Sequence, residues 1–138
     1  MDKALNYLAL ARKGGLAELG EEPVGAAARS GKAYVICVAS DASDHTWRRA
    51  KSYAAGTDQQ CVRLPFTKDE MGFVIGRTAL AIAAITDPAM ALALVKALPE
   101  QERHSDAIAL LEQKVQRQKQ RKKEAQAHKK NVARGKKK

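Results

Sequence analysis

A cluster of polar side chains at residues 40–45 includes Ser40, Asp41, Asp44 and His45, and it follows a run of apolar residues. Strand-to-helix turns of this kind carry nucleophiles and metal-binding acids in many α/β enzymes. The two acids, however, are three positions apart, which does not match the two-residue spacing of aspartyl phosphotransferases. No GxSxG elbow surrounds the serine. Asp41 and Ser43 are therefore interpreted as helix caps, and we expect no catalytic residue here.

Glycine and cysteine patterns bear on cofactors and metals. Gly14, Gly15 and Gly20 form neither a GxxxxGK[ST] nor a GxGxxG motif, so no nucleotide cofactor is expected. Cys37 and Cys61 lack both a CxxC pattern and a nearby histidine pair, which argues against a disulfide framework and a zinc site. We therefore expect a non-enzymatic protein without cofactor or metal, in the reducing cytoplasm.

The elements that would position these residues alternate along the chain. Apolar runs rich in β-branched residues are typical of buried strands, whereas capping residues and glycine stops mark the ends of helices. On this basis helices are predicted at about 3–13, 20–30, 43–56, 67–76 and 87–99, and strands at 33–39, 61–64 and 79–85. Asp2 and Asp87 are predicted to cap the first and fifth helices, and Thr67 and Glu70 have the spacing of a capping box for the fourth. Strands that alternate with helices predict an α/β sandwich.

The charge is unevenly distributed along the 138 residues. Residues 1–99 carry 12 Lys and Arg against 10 Asp and Glu, a net charge of +2, whereas residues 100–138 carry 13 against 5, a net charge of +8. We therefore predict a nearly neutral domain at 1–99 and a basic extension at 100–138 that binds polyanions. The extension should begin as a helix capped by Ser105 or Asp106, dock through an apolar stripe at 108–115, and become disordered towards residues 136–138.

Membrane and secreted classes are not expected. The longest apolar runs have seven residues, well below the roughly 20 that a bilayer crossing requires. The N-terminus begins directly in an amphipathic pattern, so no signal peptide is predicted. Trp47 should anchor its helix to the sheet, with stacking on an exposed base as the alternative.

Five short motifs in a fixed order carry a resemblance to a known family. They are LALARKGG at residues 8–15, GEE at 20–22, ASDAS at 39–43, FTKDEMGFVIGR at 66–77 and AIAAITD at 81–87. The chain resembles the ribosomal L-seven-Ae and L-thirty-e superfamily, in particular its short bacterial members found with ribosomes, from about Leu5 to Leu98.

The resemblance implies a three-layer α/β/α sandwich around a small mixed sheet, and RNA binding with kink-turns as the best-known ligand. It implies no catalysis. The family's RNA surface combines the loop before the second helix and that helix's first turns with the loop before the last strand. The corresponding residues here are Leu19, Gly20, Glu21, Glu22, Pro23 and Ala26, together with Arg77, Thr78, Ala79 and Leu80. A helix N-terminus offers free amides to phosphate, and short polar side chains read base edges exposed at the kink.

We therefore predict a cytoplasmic, monomeric protein that binds structured RNA, with ribosomal RNA and the ribosome as its partners. Arg12, Lys13, Arg29 and Lys32 are expected to add flanking phosphate contacts, and the basic tail should add further ones. One alternative is a protein-interaction adaptor in ribosome assembly or stress signalling. It is favoured by Leu16 and Leu19, which are apolar where the family is often polar. A second alternative is the recognition subunit of an RNA-modifying enzyme.

Overall fold

Four short strands form one mixed sheet in the order β1-β4-β2-β3. The computed structural model describes the backbone of residues 2–136 and the side chains of residues 2–129. β4 is antiparallel to both β1 and β2, and β3 runs parallel to β2 along one edge. Every residue of β2 and β4 is buried, as the predicted continuous apolar runs require. The strands are β1 (Ala17–Leu19), β2 (Val35–Val38), β3 (Gln60–Arg63) and β4 (Ile82–Ile85).

The helices cover both faces of this sheet. α2 contacts α3, and together they pack on β1, β2, β3 and β4, whereas α1 packs on α4 and α5 in the other layer. This arrangement is the α/β/α sandwich that was predicted. The helices are α1 (Lys3–Lys13), α2 (Glu21–Arg29), α3 (Asp44–Ala54), α4 (Lys68–Val74), α5 (Pro88–Lys96) and α6 (Ser105–Lys136), with a 3-10 helix at Gln101–His104. None of the helices within residues 2–136 combines the length and the apolar composition needed to cross a bilayer.

The predicted helix caps at Asp2, Ser43 and Asp87 are confirmed. The side chains of Asp2, Ser43 and Asp87 each accept a hydrogen bond from a backbone N–H of the first turn of α1, α3 and α5 respectively. Thr67 and Glu70 form the predicted reciprocal capping box at the start of α4. Ser43, in the polar loop after β2, therefore begins α3.

Several predicted boundaries are wrong, and hydrogen bonds give the reasons. Residues 16–19 were interpreted as a short extended connector, and strand β1 forms there because Ala17–Leu19 pair with β4. The last strand begins at Ile82 rather than residue 79, because the Leu80 N–H donates to the Lys68 carbonyl, 2.9 Å away, and holds the preceding residues over α4. α5 ends at Lys96 rather than Pro99. Ser105 is the first residue of α6 and follows the 3-10 helix directly, so it is not a cap.

The first turns of α6 pack on α5 and contribute to the same core. Leu111 is 1% exposed and Ala107 is 8% exposed, so the expected docking of the apolar stripe is confirmed. The division of the chain at residue 99 stays a prediction. α6 continues as a helix to Lys136, where disorder was expected, and residues 137 and 138 lie outside the described part of the chain.

The strand register gives the sheet two distinct ends. Leu19 pairs with Ala83 at the end where β1 finishes and β4 begins, and we call this the loop end. Ala17 and Val35 both pair with Ile85 at the other end, which we call the tail end. α2 runs from the loop end to the tail end.

Candidate nucleic-acid interface

The loop between β1 and α2 is fixed by Gly20. Its φ of 95° lies in a region that residues with a side chain rarely adopt, so a glycine is needed at this turn. Its N–H donates to the carbonyl of Ile82 at 3.0 Å, which ties the start of α2 to the start of β4. The beginning of α2 therefore lies next to the segment that leads into β4.

That segment is the exposed loop Arg77, Thr78 and Ala79, and it is packed tightly against α4. The Arg77 N–H donates to the Gly72 carbonyl at 2.9 Å. A Cβ placed on Gly72 would lie 2.7 Å from the Cα of Ala79 and 2.9 Å from the carbonyl oxygen of Arg77. Because only a glycine leaves room for this backbone, the sequence of α4 sets the position of the loop. The two segments that the family resemblance implies are thus brought together at the loop end.

The carboxylate of Glu21 is already used within the protein. It accepts a 2.9 Å hydrogen bond from the Thr46 hydroxyl and forms a 3.2 Å ion pair with Arg49. These contacts join the start of α2 to α3, and the sequence reasoning missed both partners because they lie 25 and 28 positions away. Glu22 is exposed and has no such contact among the described residues, so it is the carboxylate available to a ligand.

Backbone donors are also available at the start of α2. Within the described part of the chain, no hydrogen bond engages the N–H groups of Glu21 and Glu22. Pro23 has no N–H, but an N–H in the first turn of a helix has no carbonyl partner within the helix, so no hydrogen bond is lost at this position. These two donors lie at the positive end of the helix dipole, where anions are stabilised.

The four predicted flanking cations do not lie beside the loops. Arg12 and Lys13 end α1, and the chain then enters β1 at the tail end. Arg29 ends α2, and Lys32 follows in the turn before β2, again at the tail end. All four side chains are exposed, and they lie at the opposite end of the strands from Gly20 and the Arg77 loop.

The basic part of α6 leaves the domain at the same tail end. Lys114 forms a 3.1 Å ion pair with Asp58 in the turn before β3, and the Gln118 amide donates to Asp87 at the start of α5. Residues 119–129 are all exposed, so the helix extends beyond the domain into solvent.

A surface groove of about 310 Å³ runs beside α2 between the two ends. It begins near Pro23 and passes the small, exposed Ala26 before it reaches Lys32. Ser30, Thr86 and Glu18 also line it. The groove is open to solvent, and its charged lining residues are Glu18 and Lys32.

Of the polar residues after β2 that were considered for enzyme chemistry, Asp41 has a structural role. Asp41 accepts a 2.8 Å hydrogen bond from the Lys68 N–H, so it caps α4, a different helix from the one expected. Burial raises the pKa of Cys37 to about 12. Desolvation raises the pKa of Cys61 to about 11, although the charge of Lys51 opposes the shift. In the described residues no three His, Cys, Asp or Glu side chains come together as a metal site.

Leu16 and Leu19, which favoured a protein partner, are partly buried and pack against the core. The exposed large apolar side chains lie elsewhere. Phe73 on α4 is 77% exposed and Leu10 on α1 is 51% exposed. The apolar surface that a partner could use is therefore on the α1 and α4 layer.

Comparisons with known proteins show the fold. No protein-family model matches the chain, and no curated protein matches it. A Bacillus halodurans protein of unknown function is similar in structure, with a TM-score of 0.67 and 22% identity over 72% of this chain and 100% of that one. A 15.5 kD RNA-binding protein of Giardia lamblia is also similar, with a TM-score of 0.54 and 17% identity over 73% of this chain and 86% of that one. The chain thus has the α/β/α sandwich fold that these two proteins share.

Proposed function

We propose that this protein is a non-enzymatic RNA-binding protein of the cytoplasm that recognises structured, kink-turn-like RNA. The observation that carries the proposal is the meeting of two exposed segments at the loop end, where Gly20 is hydrogen-bonded to Ile82 beside the Arg77 loop. The fold shared with the Giardia RNA-binding protein supports it. Ribosomal RNA within the ribosome is the partner we propose.

The loop end is suited to reading RNA shape rather than to attracting it. Glu22 can accept hydrogen bonds from guanine, and the free N–H groups at the start of α2 can donate to phosphate. Arg77 is exposed beside them and can contact phosphate or a base edge. The carboxylates of Glu21 and Glu22 keep the local charge low, so we expect this surface to contribute specificity.

The tail end supplies the electrostatic attraction. Six Lys and Arg residues lie between 117 and 129 against the single acid Glu124, on a helix whose residues 119–129 are all exposed. Cations of this density bind phosphates without regard to sequence, and each contact displaces counterions. Arg12, Lys13, Arg29 and Lys32 share this end and extend the basic surface.

The test compares a kink-turn hairpin with an unkinked duplex of equal length at about 150 mM salt, where counterion competition weakens non-specific contacts. Three full-length chains are measured: the unaltered protein, Arg77→Gln, and a tail variant. In the tail variant Gln replaces Arg117, Lys119, Arg121, Lys122, Lys123 and Lys129. Full-length chains are needed because a cut at residue 99 would remove Leu111 from the core.

We expect the unaltered protein to prefer the kinked RNA. Arg77→Gln should weaken binding of the kinked RNA alone, whereas the tail variant should weaken binding of both RNAs and reduce the salt dependence of binding. Equal affinity of the unaltered chain for the two RNAs would contradict kink-turn recognition. Absence of binding to either RNA would contradict RNA binding altogether.

A second candidate function is an interaction adaptor in ribosome assembly. The 77% exposure of Phe73, beside Val74 and the acidic Asp69 and Glu70, favours it. The substitution Phe73→Ser separates the two functions, because it should leave RNA affinity unchanged and abolish association with ribosomal particles only if this surface binds protein.

A further inference from the structure

A second groove, of about 600 Å³, opens along the free edge of β3 and lies outside the surface proposed above. The 3-10 helix forms one wall, and Trp47 of α3 together with β3 forms the other. Ser40, which follows β2, lines its far side, so the groove lies towards the loop end of the sheet. Its volume is within the usual range for small-ligand sites.

The side chains that line this groove combine an aromatic ring with positive charge. The guanidinium carbon of Arg63 lies 4.9 Å from the centre of the Trp47 ring. The ammonium of Lys51, which does not line the groove, lies 5.4 Å from the same ring. Arg103 and the half-buried His104 face Arg63 across the groove, and Glu100 is the only acid among the lining residues. Apart from that acid, the groove is suited to an anion with a flat ring.

An ion pair and hydrogen bonds hold in place the 3-10 helix that carries Arg103. Glu100 has a φ of 55°, the only positive φ outside glycine among the described residues, and its carboxylate pairs with Arg103 at 2.7 Å. The amide nitrogen of Gln101 lies within hydrogen-bond distance of the carbonyls of Val95 and Lys96 at the end of α5 and of Leu98 just beyond it. The 3-10 helix is thus fixed to α5, and Arg103 is held at the rim.

We infer that this groove binds an unpaired nucleotide of the RNA that the protein recognises. The base would stack on the guanidinium of Arg63, which Trp47 supports from below, and the phosphate would lie near Arg103 and His104. Unpaired RNA bases characteristically stack on aromatic rings and on guanidinium planes. The inference rests on the proposed RNA binding, but it uses none of the residues assigned to the loop end or to the tail end.

Trp47 is the only tryptophan of the chain and lines this groove, so its fluorescence reports on binding there. The probe is hexaadenylate RNA, titrated into the full-length tail variant described above, which lacks six of the cations that bind any phosphate. Its own binding is followed by the anisotropy of a fluorescein label. We expect the RNA to quench Trp47 over the same concentration range as it binds. AMP is titrated in parallel and should quench only at much higher concentration, because it lacks the neighbouring phosphates.

The variants separate stacking from charge. Arg63→Gln and Arg63→Lys should both weaken hexaadenylate binding by about fivefold or more, because lysine keeps the charge but lacks the flat guanidinium. The matched control is Arg48→Gln, which removes one charge from the same helix as Trp47 but does not line the groove. Glu100→Gln should tighten binding, since it removes the acid from the lining.

Binding of hexaadenylate without any change in Trp47 fluorescence would overturn the inference, as would equal affinities of Arg63→Gln and Arg48→Gln. AMP binding as tight as hexaadenylate would overturn the assignment to RNA. The kink-turn hairpin, prepared without unpaired flanks, keeps the two proposals apart. If the hairpin binds and hexaadenylate does not quench Trp47, only the groove is refuted, whereas failure of the hairpin itself refutes the proposed function.

Discussion

The substitution Gly72→Ala tests whether α4 positions the Arg77 loop. The added Cβ would lie 2.7 Å from the Ala79 Cα and 2.8 Å from the Ala79 nitrogen, both backbone atoms that no side-chain rotation can move. Carbon atoms pack at about 3.5–4.0 Å, so the loop must move away by about 1 Å. That movement would lengthen the 2.9 Å hydrogen bond from the Arg77 N–H to the Gly72 carbonyl.

The expected change in the free energy of unfolding of Gly72→Ala is the sum of two opposing contributions. Overpacking costs about 1–3 kcal/mol, and replacing a helical glycine by alanine recovers up to about 1 kcal/mol. We therefore expect the free energy of unfolding to fall by about 1–2 kcal/mol in urea titrations. Affinity for the kinked RNA should also fall by about fivefold, the equivalent of one displaced hydrogen bond, while affinity for the straight duplex is unchanged.

Gly14→Ala provides the matched control for this experiment. Gly14 has a φ of −81°, and a Cβ there would meet its nearest atom at 3.5 Å, an ordinary contact distance. We expect this variant to differ from the unaltered protein by less than about 1 kcal/mol. If Gly72→Ala is as stable as Gly14→Ala and binds kinked RNA equally well, α4 does not position the loop as argued.

Three further substitutions test the core, the start of α2 and the buried thiol. Leu111→Ala should lower the free energy of unfolding by about 2–4 kcal/mol and the exposed Leu10→Ala by less than about 1 kcal/mol, and equal urea midpoints would show that α6 is not part of the core. Gly20→Ala should cost about 1–3 kcal/mol through its positive φ, and an unchanged urea midpoint would contradict the strain argument. The Cys37 thiol keeps its proton up to about pH 12 when folded but loses it near pH 9 when unfolded, so its contribution to stability is complete below pH 9 and declines above it. The stability difference between the unaltered protein and Cys37→Ala should therefore shrink by up to about 1.4 kcal/mol per pH unit between pH 9 and 11, and parallel pH profiles would contradict this.

Local signals in the sequence were sufficient for most of the fold. The cap at Asp87 and the capping box at Thr67 and Glu70 depend on contacts within three residues, so their spacing could be recognised directly. The buried strands β2 and β4 could be predicted from their continuous apolar runs, which are also local features of the sequence. Their ends were predicted less well, because pairing depends on distant partners, as the Leu80 N–H bound to the Lys68 carbonyl shows.

The candidate site could be predicted only in part, for a related reason. The family resemblance indicated the two loops, and the strand register brings them together. No pattern in the sequence indicates that Glu21 is occupied by Thr46 and Arg49, or that Arg63 lies over Trp47, because these contacts join different elements. The same limitation explains why the cations at 12, 13, 29 and 32 were expected beside the loops.

The separation of the two ends has a consequence for how RNA would bind. α2 spans about 12 Å from Glu21 to Arg29, and α6 extends about 27 Å beyond Gln118, at 1.5 Å per residue. Under the proposed function, an RNA held at the loop end reaches the tail cations only if one of its stems runs along the groove beside α2. Base contacts and phosphate contacts would then lie on different parts of one RNA, and the tail would strengthen binding of RNAs with a long stem in that direction. Lengthening each stem of the hairpin in turn should therefore increase the effect of the tail variant for one stem only, whereas equal effects for both stems would indicate that the tail binds independently of the loops.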